Sequence, residues 1–220
     1  MIQGLPGCIP WGVITVYLND YLLQQRSMQA EQATLVMGAF GVGNSMGQVF
    51  GAKEGQRLYN KEARFQPMLM AATTLLGTIP GLGLLQYSGG NVLVYITLAI
   101  TTGILAAVTG PNIRAVLMNV TIPSNRGMAF GMFNLFDDLG RGLGPALVAS
   151  LVGIMGRTKA FSVGMTLWVV CGLLLQVMVF TVTKDETRAQ ADLQAYAMVS
   201  TGTKTTLDAA EDDVLMEHEN

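Results

Sequence analysis

The sequence has little charge. Only 13% of its residues are Asp, Glu, Lys or Arg, while 50% are hydrophobic. A soluble domain usually carries about 25% charged residues. Histidine is nearly absent: the single one is His218, close to the end of the chain. That leaves no base for Ser-His chemistry and no imidazole set for a metal. Cysteine is scarce too. Cys8 and Cys171 stand alone in apolar segments, with no CxxC neighbour, so a structural zinc site has no support. They are expected to be small core residues. No basic arm or basic patch with interleaved aromatics points to nucleic acid. No positive n-region precedes the first apolar run, so no signal peptide is read. No cofactor, metal or enzymatic activity is expected.

What remains is long uncharged sequence. Met1 to Asn19, Gln32 to Ala52, Phe65 to Ile113 and Ala160 to Thr183 contain no charged residue. A spanning helix needs about 20 apolar residues, and the third stretch is long enough for two spans and a turn. The pattern predicts an all-α, polytopic membrane protein with six spans. They run from about Ile2 to Leu23, Gln32 to Phe50, Pro67 to Gln86, Val92 to Val120 (interrupted at Pro111), Ser124 to Met155 and Phe161 to Val182. Residues 1–182 form the bundle in this reading. Residues 183–220 form an acidic, disordered tail, with a short helix allowed around Thr187 to Met198.

Lys53, Arg57, Lys61, Arg64, Arg114, Arg126, Lys184 and Arg188 fall on one side of such a bundle, against Arg26, Arg157 and Lys159 on the other. The positive-inside rule then puts the tail and the start of the chain in the cytoplasm. Within the tail, Glu211 to Met216 resembles an acidic dileucine sorting signal.

Four glycines in the second span, Gly43, Gly47, Gly51 and Gly55, recur every four residues. Such a face lets two helix backbones approach closely in lipid. Val36 of the same span is expected to face lipid. Gly43 to Gly47 also spells G-x-S-x-G. A nucleophile elbow needs a strand-to-helix turn and a histidine base, and Ser45 has neither.

The fifth span holds Asp137, Asp138 and Arg141 amid apolar sequence. Asp137 is about 20 Å along the helix from Ser124, near mid-membrane. Charge there is costly and normally faces a cavity or a partner. Arg141 can pair with either carboxylate at three- or four-residue spacing, leaving one carboxylate free. Asn134, Asn44 and Asp20 are further candidates for a substrate or ion pathway.

Two segments carry a family resemblance. Gly47, Gly51, Gly55 and Arg57 resemble a degenerate form of the G-x-x-x-(D)-R-x-G-R/K loop of the major facilitator superfamily, with Gln56 where the acidic residue is expected. Pro123-Ser-Asn-Arg126-Gly127-Met-Ala129-Phe-Gly131 resembles its P-x-x-x-R-G-x-A-x-G segment, and Gly140, Gly144 and Pro145 its G-x-x-x-G-P motif. The order is similar to helices seven to twelve of a twelve-helix transporter. The Pro6 to Trp11 opening and the Leu58-Tyr59-Asn60 loop resemble the spinster-like branch. The resemblance implies two inverted three-helix repeats. It also implies a small organic solute moved by alternating access and partnership with an N-terminal six-helix half or a second copy; the acidic pair, as ionisable groups within the membrane, is a candidate for proton coupling. A non-transporting membrane scaffold and a truncated, non-functional fragment are the rival readings.

Overall fold

The computed structural model describes the backbone of residues 2–218 and side chains of residues 2–195. Among the described residues there is no strand. Helices α1 (Gly4–Gln25), α2 (Ala30–Tyr59), α3 (Phe65–Gln86), α4 (Val92–Ala107), α5 (Thr109–Asn119), α6 (Arg126–Met155) and α7 (Arg157–His218) follow one another through short connections. A 3-10 turn, Pro123–Asn125, leads into α6.

α4 and α5 form one rod with a break at Val108. The sequence places the interruption at Pro111; the chain breaks one turn earlier. Proline has no N–H to give the carbonyl four residues back, and its ring crowds that carbonyl. For Pro111 that residue is Ala107, where α4 stops. Other junctions have local causes. Gln29 and Gln32 form a reciprocal capping box at the start of α2. Asn91 accepts from Leu93 N at 3.0 Å to cap α4. Gly156, at φ 83°, ends α6 in a conformation that only glycine adopts freely.

Four rods are long and apolar enough to cross a membrane: residues 65–86, 92–119, 123–155 and 157–195. α1 and α2 fall below that threshold. α1 carries Asn19, Asp20 and Gln24, and α2 carries six glycines with Asn44, Ser45 and Gln48. Packing sets their depth instead. α2 runs parallel to the α4–α5 rod: Gly43 lies against Ile100, Gly47 against Ile104, Gly51 against Val108 and Gly55 against Asn112. The steps match along both helices, so the ladder is one continuous seam. α1 runs parallel to α6 in the same manner, with Gly140 on Leu5, Gly144 on Ile9 and Gly12 on Pro145.

The closest helix pairs are α2 with α4, α1 with α6, and α3 with α7. Exchanging the first three rods with the last three maps this set onto itself. An odd number of spans per repeat makes the second copy run the opposite way through the membrane. The bundle is therefore two inverted three-helix repeats, held by two equivalent glycine seams.

Val36 is not lipid-facing. It is 0% exposed, because it lies seven residues before Gly43 and so on the same buried stripe with Ala33 and Phe40. The helical part of α7 also passes the boundary at 182. Glu186 and Ala189 are buried, and the helix continues to His218 where composition alone predicted disorder. Residues 185–200 contain four Ala and two Gln and no Gly or Pro, which favours helix. The sorting-like segment Glu211 to Met216 lies outside the residues whose side chains are described.

Candidate functional site

The bundle is filled at one end and hollow toward the other. The filled end is the one bearing Arg26, Arg157 and Lys159. There Tyr21, Leu22, Leu84, Leu85, Tyr95 and Phe161 are buried. Tyr21 Oη donates to Leu85 O at 2.7 Å and lies 3.1 Å from Thr158 Oγ1. Arg26 donates to Leu85 O and, at 3.2 Å, to Tyr21 Oη. Asp20 pairs with Arg157 at 3.2 Å, and Arg157 also donates to Gln24 Oε1 at 2.5 Å. These contacts join α1 to α3 and α7. Asp20 therefore belongs to a closure, away from the cavity.

Between mid-bundle and the other, basic end lies a cavity of about 510 Å³. Every rod contributes to its wall. Asp137, Arg141 and Asn44 line it; Asp138, Asn134 and Asp20 do not. Asp137 is half-buried and makes no ion pair among the described residues. Cys8, Cys171, Arg114, Arg141 and Asp138 are its titratable or charged neighbours. Asp138 points out of the bundle with its side chain 73% exposed, and its carboxylate is 4.0 Å from the Arg141 guanidinium, at the limit of an ion pair. Asn134 is exposed on α6. Asn44 accepts from Gln48 Nε2 at 3.2 Å. Ser45 is within α2 and donates to Gly41 O at 3.1 Å.

Several wall residues escape sequence reasoning. Arg114 counts there as a loop cation, yet it sits on the cavity wall about 8 Å inside the end of α5. Trp11, Trp168, Phe40 and Phe133 supply the aromatic surface. Trp11 and Trp168 meet edge-on at 6.0 Å, and Trp168 Nε1 donates to Gly7 O at 3.0 Å. Cys8 and Cys171 are buried, as expected, but they also border the cavity. Cys171 Sγ donates to Gln3 Oε1 at 3.2 Å. Aromatic and thiol side chains look like ordinary core in an apolar sequence, so no local signal marks them. Among the described residues, no three His, Cys, Asp or Glu side chains come close enough to hold a metal ion.

At the basic end the motif residues have definite jobs. Arg57 pairs with Glu54, three residues before it, at 2.5 Å. Arg126 donates to Thr121 O at 3.4 Å and Met118 O at 3.3 Å, clamping the end of α5 to the start of α6. Gly127 has open space around it and serves no close contact. Asn112, 1% exposed, ties three rods together. It donates to Gly51 O and Val108 O, both at 2.8 Å, and accepts from Gln66 Nε2 at 2.9 Å. Tyr59 donates to the buried Glu186 carboxylate, which pushes the phenol up to about 12; burial adds to the effect.

A family model of the major facilitator superfamily matches residues 3–208. The chain belongs to the major facilitator superfamily. No curated protein matches it closely. Membership makes it an integral membrane protein of a transporter family, not an enzyme family. The superfamily match extends past the bundle into the helical extension of α7, consistent with the burial of Glu186 and Ala189.

Proposed function

We propose that this major facilitator superfamily chain is the C-terminal six-helix half of a proton-coupled secondary transporter of the spinster-like kind, moving a small organic solute by alternating access. The observation that carries the reading is the one-sided cavity, with Asp137 unpaired on its wall and a hydrogen-bonded closure at the far end. Its volume falls within the range of about 300–1,000 Å³ common for small-molecule sites. An ionisable group held at mid-membrane outside any ion pair, with the Cys8 thiol beside it, is suited to bind a proton during the cycle.

Asp138 supports a partner bundle. It lies about 18 Å from the start of α6, near mid-membrane, and is largely uncovered. A central Asp facing lipid costs about 2.5–3.5 kcal/mol on translocon scales. A second six-helix bundle, either an N-terminal half or another copy, would cover it and complete the site. The excess of Lys and Arg at the cavity's end supports a cytoplasmic location for that end and for the tail beyond residue 182. The scaffold reading needs the glycine seams alone and gives no role to Asp137.

Uptake into proteoliposomes driven by an imposed pH gradient tests the proposal. Asp137→Asn should abolish gradient-driven uptake and spare exchange. Asp138→Asn should change protein level little, since an exposed pair at the distance limit contributes only about 0–1 kcal/mol. Unchanged pH dependence in Asp137→Asn would refute proton coupling at this residue.

A further inference from the structure

We infer that the cavity selects an organic anion with an aromatic or apolar body; this deepens the transporter reading and rests on it. Three charged side chains line the wall: Arg114, Arg141 and Asp137. With all three ionised the wall carries one net positive charge, and two when Asp137 holds a proton. No Lys, Glu or His joins them among the described residues.

Neither guanidinium is used up by the fold. The Arg114 side chain makes no hydrogen bond or ion pair with any described residue, and Arg141 has the 4.0 Å contact to Asp138 and a contact with the Cys8 thiol; both are charged neighbours of Asp137. Both side chains are exposed, which leaves donors free for water or an anion. Their planar donor forks suit a carboxylate or phosphate. A cation entering the same space would meet two like charges against a single carboxylate, which disfavours it by design.

The rest of the wall fits the body of such a solute. Trp11, Trp168, Phe40 and Phe133 supply ring faces and edges, which favour flat apolar groups. The amides of Gln3, Asn44 and Gln48 line the same space, where they can orient polar substituents.

Both tryptophans of the chain are on this wall, so fluorescence excited selectively at tryptophan reports on the cavity. The test uses the purified 220-residue chain in detergent micelles, where its two tryptophans are the sole indole emitters, and a matched series of nitroaryl quenchers. These are 4-nitrobenzoate, 4-nitrophenyl phosphate, 4-nitrobenzyl alcohol and 4-nitrobenzylammonium, each corrected against free N-acetyltryptophanamide. The expected result is saturable quenching by the two anions, at least about tenfold tighter than by the ammonium compound. Arg114→Gln and Arg141→Gln should each loosen the anions about tenfold and leave the alcohol unchanged. Arg114 has no partner in the fold, so its variant should keep the wild-type helicity. Whichever of benzoate and phosphate binds tighter identifies the headgroup, and either order supports the inference. Three results overturn it: ammonium binding as tight as the anions, anion binding indifferent to both arginine substitutions, or no saturable quenching by any probe. Uptake plays no part in the readout. Anion-selective binding without uptake would leave this inference standing and remove the transport reading.

Discussion

Replacing Gly51 with alanine isolates what the glycine seam contributes. A Cβ at Gly51 would lie 2.7 Å from Val108 Cα, and one at Gly47 2.8 Å from Ile104 Cα. Ordinary contact begins at 3.4 Å. The backbones of α2 and the α4–α5 rod must therefore part by roughly 0.7 Å, an overpacking that costs about 1–3 kcal/mol. Alanine also gains about 0.8–1.0 kcal/mol of helix propensity over glycine. Gly41 supplies the control. It is on the same helix, is exposed, and has nothing within 4 Å of an added Cβ. Gly41→Ala should show the propensity gain alone. Gly51→Ala should show that gain minus the overpacking, so the two variants should differ by about 1–3 kcal/mol. Reversible unfolding in mixed micelles, followed by circular dichroism against the mole fraction of dodecyl sulfate, measures the difference. Variants agreeing within about 0.5 kcal/mol, the scatter of surface substitutions, would show that the seam is not close-packed.

Asn112→Ala should destabilise by about 1–3 kcal/mol in the same assay, because it strands the buried Gln66 amide and removes the side-chain bond from α5 to Gly51 O. Gln48→Ala, on the cavity wall, should have a smaller effect. Tyr59 provides a pH test. Its pKa is raised in the folded chain, so the stability it contributes is complete below the ordinary tyrosine value near 10 and is lost as pH rises toward about 12. Ultraviolet titration of Tyr59→Phe against wild type should show the missing tyrosinate at the high end, and the pH-dependent loss of stability above pH 10 should shrink. For orientation, Lys61→Cys and Lys159→Cys, both exposed, should label from opposite faces in intact cells, with Lys159→Cys reached only from outside or the lumen. The reverse pattern would contradict the cytoplasmic placement of the basic end.

The rods and the seam were legible because their signals are periodic. The four-residue glycine step and the uncharged stretches survive any detail of packing. The pseudo-symmetry of the repeats was reached through resemblance to a family, and the contacts then supplied its physical basis. The site was legible only in part. Asp137 and Arg141 stand out because charge amid apolar sequence is rare. Which of two adjacent carboxylates faces inward depends on a rotation of about 100° per residue, and the sequence does not set the helix's azimuth. Asp138 therefore points away while Asp137 lines the cavity. Arg114 was hidden by lying near a span end, where cations are routine. Val36 was misplaced because an isolated aliphatic residue reads as lipid-facing; only its seven-residue distance from Gly43 marks it as buried.

Alternating access to the cavity is the central claim, and cysteine reactivity at Asn44 tests it most directly. Asn44 lines the cavity from α2, while the far end is closed by Tyr21, Arg26 and the Asp20–Arg157 pair. In a Cys8→Ser, Cys171→Ala background, Asn44→Cys would be treated with a membrane-impermeant thiosulfonate in right-side-out and inside-out vesicles. Reaction from both faces, faster from the basic end and shifted toward the other face by Arg157→Gln, is the predicted result. Reaction from a single face under every condition, unmoved by Arg157→Gln, would contradict transport through this cavity.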